Sequence, residues 1–202
     1  MKNLFCSALM LIFGAWASGV SAQTPQEDGA ILASALADAR SKDWLGATET
    51  ALRLSDPVGV EIIDWMRLRA GEATFAEYEF FLTENADWPG LKRLQYAGEA
   101  SIPVDLPASR VISYFANRLP QSGTGSIRLA AAHQANGNKD AANGEAVRAW
   151  LNLTMTQAEM NQLSDLYAEA LAPRHVERLD WLLWEGHKES AEAVFALVNA
   201  DK

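Results

Sequence analysis

Apolar residues recur along this chain with a period near 3.6, and no stretch alternates with a period of two. Leu32, Ala35, Leu36 and Ala39 fall at i, i+3, i+4 and i+7, which is one helical face. The spacing predicts a second helix from about Trp44 to Leu54, with Asp43 as its N-cap. Asp56-Pro57 opens a third that runs to Ala70 and stops at Gly71. Thr74 caps a fourth over Phe75 to Asn85, with Phe75, Tyr78 and Leu82 inward. Pro89 opens a fifth through Ala100, and Ser101 to Leu106 is a linker.

The same period continues to the end. Pro107 leads a short helix bearing Val111, Tyr114 and Phe115, and Pro120 to Gly123 is a turn. Ile127 to Asn136 is helical until Gly137, and Lys139 to Trp150 follows. Thr156 with Glu159 makes a capping-box pattern for a helix reaching about Leu171. Pro173 begins another that ends at Gly186, and Lys188 to Asn199 is the last. About eleven short helices with short turns predict an all-α fold, built as stacked antiparallel helix pairs forming part of an α-superhelix, a helical-repeat solenoid. No exact repeat of fixed period accompanies it.

The first 22 residues differ. Lys2 precedes an apolar run from Leu4 to Trp16, and Val20-Ser21-Ala22 offers small residues for a signal peptidase. The rival reading is a membrane anchor, but Gly14, Ser18 and Gly19 interrupt a run that must span ~30 Å of hydrocarbon. The expectation is therefore a signal peptide at 1–22, a polar lead at 23–28 and a helical superhelix domain at 29–202. Export places the mature chain in the periplasm with no stable membrane anchor. Cys6, the only cysteine, leaves with the signal, so the fold must rest on its apolar core.

Composition narrows the partners. At 49% hydrophobic and 21% charged the chain is globular rather than disordered. A net charge of −9 without clustered Lys or Arg excludes nucleic acid.

Candidate chemistry is sparse. His133, His175 and His187 lie 42 and 12 residues apart, not at the i, i+4 spacing of a helical metal pair, so they read as solvated or helix-terminal. Ser122-Gly123-Thr124-Gly125 resembles a phosphate loop but lacks the following G-K-[ST], which makes it a flexible helix lead-in. Glu61 with Asp64, and Glu77 beside Tyr78, read as exposed helix faces rather than a glycosidase pair. Trp44, Trp65, Trp88, Trp150, Trp181 and Trp184 remain after signal removal. Each is a core position first and a sugar platform second, and Leu183 and Trp184 are expected to be structural. No catalytic, metal or cofactor residue is assigned.

Several segments in order carry a resemblance: Asp64 to Arg69, Phe75 with Phe80-Phe81-Leu82, and Trp88 to Leu91. Tyr114-Phe115, Pro120, Ser122-Gly123, Ala149-Trp150, His175, Arg178 to Asp180 and Leu182 to Trp184 follow, before Gly186. From Asp56 to Val198 the chain resembles the N-terminal superhelical module of the soluble lytic murein transglycosylases. The resemblance implies a scaffold that holds peptidoglycan beside a separate lysozyme-like domain, whose single Glu cleaves the MurNAc–GlcNAc β-1,4 bond to leave 1,6-anhydro ends. That Glu lies in an E-S pair ahead of a glycine-rich A-x-S-x-x-G-A-x-G-L-M-Q stretch. Here the only Glu-Ser, Glu189-Ser190, is followed by Ala191-Glu192-Ala193-Val194, so the catalytic residue is carried over to no position.

The expectation is a non-catalytic front part of such a scaffold, apparently truncated. The alternative is a free-standing helical-repeat adaptor for a periplasmic protein or peptide, and a third reading is an enzyme with an unplaced carboxylate pair. In the last helix Ala191, Val194, Phe195 and Val198 form a wide apolar stripe. An open patch near Phe195 and Val198 would let the chain self-associate through this helix.

Overall fold

A computed structural model of the chain describes residues 24–200, so the expected leader and Cys6 lie outside the described residues. The described residues are all-α, with no strand. Their helices are α1 (Pro25–Arg40), α2 (Trp44–Ala51), α3 (Val58–Arg69), α4 (Phe75–Glu84), α5 (Leu91–Ala100) and α6 (Ala108–Tyr114). Then come α7 (Gly123–Ala135), α8 (Lys139–Asn152), α9 (Gln157–Leu166), α10 (Ala168–Leu171), α11 (His175–Trp184) and α12 (Lys188–Ala200). A 3-10 turn, Ala172–Arg174, joins α10 to α11.

Local chemistry explains most of the starts and stops. Asp43, Thr74 and Thr156 cap α2, α4 and α9 as their residue types predict, and both threonines form full capping boxes with Glu77 and Glu159. Gly71, Gly137 and Gly186 take positive φ where α3, α7 and α11 have ended. Several boundaries differ from the sequence reading. The first helix begins at Pro25, inside the polar lead, because Thr24 and Glu27 form a further capping box. The segment after Thr156 breaks at Tyr167, whose φ of −130° is not helical, and Pro173 sits in the 3-10 turn rather than opening α11. The start of α7 lies four residues earlier than the apolar period indicates, because Ser122 caps it.

The chain divides between Gly59 and Val60 into two compact units. In the first, α1 and α2 form a hairpin closed by buried Ala35, Ala39, Ala47 and Ala51. Alanines on both faces let two helices approach closely without loss of side-chain entropy.

In the second unit α8 is the hub, packing on α7, α9, α10 and α11. Its inward stripe is Ala142, Ala146, Ala149 and Trp150, all essentially without solvent contact. Met160, Leu163, Leu171, Leu182 and Val194 from the surrounding helices complete this core. A second cluster joins Phe75, Val111, Tyr114, Phe115 and Leu129, with the Tyr114 ring edge-on to both Phe75 (4.9 Å) and Phe115 (4.7 Å). A third gathers Leu68, Tyr78, Phe81 and Leu94.

The end of α11 corrects an expectation. Trp184 is 90% exposed and Leu183 58% exposed, so neither is a core residue. A helix advances about 100° per residue, so Leu182, Leu183 and Trp184 cannot all face inward. The buried face is His175, Arg178 and Leu182, at i, i+3 and i+7. On α12, Ala191 and Val194 are buried, Val198 is half-buried and Phe195 is 56% exposed.

Candidate functional site

The densest polar constellation surrounds the first turn of α7. Ser122 supplies its N-cap, its Oγ accepting from the Gly125 N–H at 2.9 Å. Two carboxylates then converge on the same turn from other helices. Glu99, on α5, accepts from the Gln121 N–H at 2.8 and 3.0 Å and from the Ser122 N–H at 2.8 Å. The Ser122 hydroxyl and the Gln95 side-chain amide (2.9 Å) also donate to it. Glu159, in the first turn of α9, accepts from the Thr124 N–H at 2.7 Å and its hydroxyl at 2.8 Å, while also closing its own capping box on Thr156.

Glycine is required here for space. A Cβ at Gly125 would collide with the Glu99 carboxylate, and one at Gly123 with Glu159 and Met155. Ser122-Gly123-Thr124-Gly125 is thus the opening turn of a helix rather than a flexible lead-in. Its backbone N–H groups, which have no partner within the helix, and the positive end of the helix dipole do form an anion seat. The chain's own carboxylates occupy it. Arg148 closes the knot from α8, bridging both oxygens of Glu145 (2.7 Å each), the Ser126 hydroxyl (3.0 Å) and the Pro120 carbonyl (3.1 Å).

Burial sets the two carboxylates apart. Desolvation pushes the Glu99 carboxyl above its ordinary range despite the donors around it. Desolvation is also the largest single influence on Glu159, but the hydrogen bonds from Thr156 and Thr124 together outweigh it and hold that carboxyl below its ordinary range. Glu99 is wholly withdrawn from solvent, with its oxygens directed at donors that fix backbone. Chemically the arrangement anchors a helix start.

A buried cation lies in the same unit. Arg178 on α11 has no solvent exposure, and its guanidinium sits 5.5 Å from the Trp150 ring and 4.8 Å from the Trp181 ring. One nitrogen donates to the Leu153 carbonyl at 2.9 Å, at the C-cap of α8, and another approaches the Met160 sulfur at 3.6 Å. Burial lowers its pKa to about 10. His175 packs on Trp150 at 5.5 Å, buried rather than solvated, while His187 stacks on Trp181 at 5.8 Å and His133 is half-buried near the end of α7.

The remaining sequence candidates are dispersed. Trp65 and Trp88 are half-buried neighbours 6.3 Å apart, the former donating to the Pro89 carbonyl at 3.1 Å. Tyr78 is a core residue whose hydroxyl donates to the Leu68 carbonyl at 2.7 Å. Arg67 bridges Asp64 (3.4 Å) and Glu77 (2.8 Å), and this guanidinium, with the Thr74 capping bonds, brings the Glu77 carboxyl down to about 2. Glu189 is exposed in the first turn of α12. Among the described residues no group of three or more His, Cys, Asp or Glu is arranged to hold a metal ion, and no helix is long and apolar enough to cross a membrane.

Sequence reasoning missed Glu99, and it named Arg178 as part of the resemblance without foreseeing its burial against Trp150 and Trp181. A Gln95–Glu99 pair at i, i+4 is ordinary helix material. Comparison with protein-family models, curated proteins and solved structures finds no match.

Proposed function

We propose that this chain is a non-catalytic, periplasmic helical scaffold of lytic-transglycosylase type, whose helices present a superhelical surface to peptidoglycan. One observation carries the reading. Trp150, His175, Arg178 and Leu182, spread through the last third of the resemblance, meet in a single buried cluster. These four residues of the series pack as one unit, while Phe80, Leu183 and Trp184 of the same series are exposed. Glu99, the most deeply buried carboxylate, supports the non-catalytic part of the reading, since all its bonds hold backbone or neighbouring side chains in place. The test is to incubate the purified chain with murein sacculi. Cosedimentation without release of 1,6-anhydromuropeptides is expected. A chain that stays in the supernatant ends the scaffold reading, and released anhydro products end the non-catalytic one.

A second reading, the free-standing adaptor, is favoured by the apolar surface of the C-terminal hairpin. Val176, Leu183, Trp184 and Phe195 are each more than half exposed on α11 and α12. Large apolar side chains left open in this way suit a protein partner or a second copy of the chain.

A further inference from the structure

We infer that the groove between α3 and α4 docks a short basic, amphipathic helix of a partner protein. The two helices line a cavity of about 480 Å3. Its floor is apolar, with Leu68 and Phe81 buried beneath it and Phe80 standing in it 69% exposed. From Ala76 to Asn85 the α4 wall runs about 14 Å at 1.5 Å per residue, which suits two to three turns of a helix laid along it.

Charge decides which helix. Glu61, Asp64, Glu77 and Glu84 line the groove against one cation, Arg67. Arg67 is held at the end nearest the α3–α4 loop by Asp64, Glu77 and the Glu72 carbonyl (3.0 Å). Glu61 opens α3 and Glu84 closes α4, so the antiparallel path of the pair puts both at the other end. Neither has a hydrogen-bond or ion-pair partner among the described residues. The groove thus offers an exposed aromatic ring beside two uncompensated carboxylates. A helix bearing Leu or a similar knob for the Phe80 floor, with Lys or Arg one turn away, satisfies both features. An acidic or purely polar helix satisfies neither.

The inference goes beyond the scaffold reading and does not depend on murein binding. The test uses the full chain and a fluorescently labelled 14-residue Lys/Leu amphipathic helix as probe, followed by anisotropy. Replacing both unpaired carboxylates (Glu61→Gln with Glu84→Gln) should weaken binding about tenfold, and Phe80→Ser should do the same. The control pair Glu189→Gln with Glu192→Gln, exposed on α12, should change it less than about twofold. Because Phe80 is exposed, its replacement should leave the thermal melt unmoved, which separates lost docking from lost folding. Equal loss in the α12 control would show only general attraction to an acidic protein and overturn the inference. Binding indifferent to Phe80→Ser would overturn it as well.

Discussion

Glu99 and Arg178 are both withdrawn completely from water, and their surroundings answer that burial in opposite ways. The anion sits at the N-terminal end of α7 among backbone N–H groups and a hydroxyl. The cation sits at the C-terminal end of α8, facing one carbonyl, one sulfur and two indoles. Each faces the end of a neighbouring helix whose dipole favours it, though Glu99 itself lies in the last turn of α5. Each is nonetheless shifted towards its neutral form by desolvation, Glu99 upwards and Arg178 down to about 10. For Glu99 a full set of hydrogen bonds is therefore not full compensation for lost water, and Arg178, whose Nε is buried without an acceptor, has fewer bonds to offset its burial. What differs is how much structure depends on each charge. Several donors of Gln95, Gln121 and Ser122 lean on Glu99, whereas one carbonyl, of Leu153, and the weakly accepting Met160 sulfur lean on Arg178.

The largest effect should come from removing the anion. Glu99→Ala strands two backbone N–H groups in a buried site and should cost about 3–5 kcal/mol in urea unfolding, since orphaned buried donors carry their full desolvation penalty. Glu99→Gln sharpens the point through pH. The folded pKa of Glu99 is raised above the ordinary 4.5, so its contribution is fully present below that value and is lost as pH rises through the folded pKa. The stability gap between Glu99→Gln and the parent should therefore shift in favour of the variant across that rise. A gap that is constant with pH would mean that Glu99 ionises as freely folded as unfolded.

Removing the cation should matter less. Arg178→Met keeps much of the volume against Trp150 and Trp181 and leaves one carbonyl short of a donor, so a change within about 1 kcal/mol of the parent is expected. A loss as large as that of Glu99→Ala would make the two sites equivalent and dissolve the contrast.

How far these sites are legible in the sequence follows from the reach of their bonds. Thr74 and Thr156 announce their helices because a capping box closes over three residues. The Ser122–Gly125 turn, read in the sequence as a flexible lead-in, gives no sign that Glu99 and Glu159 bind it from 23 and 35 residues away. The burial of Arg178, a residue the sequence does single out, is hidden for the same reason, since Leu153 is 25 residues distant. Trp184 misleads differently: hydrophobicity says that something in Leu182-Leu183-Trp184 is buried, and only packing on α8 selects Leu182.

The smallest expected effect lies at that exposed indole. Trp184→Ala should change stability by no more than about 0.5 kcal/mol, the usual range for open surface positions. It should nevertheless reduce concentration-dependent association in sedimentation if the hairpin surface meets a second copy. A large drop in melting temperature would return Trp184 to a packing role.

Glu159 has a consequence for how the molecule opens. One carboxylate closes the first turn of α9 on Thr156 and holds the first turn of α7 at Thr124. Amide protons at those two turns, far apart along the chain, then share a single protecting contact. In hydrogen–deuterium exchange they should become labelled together, as one cooperative unit, rather than fraying as two independent helix ends.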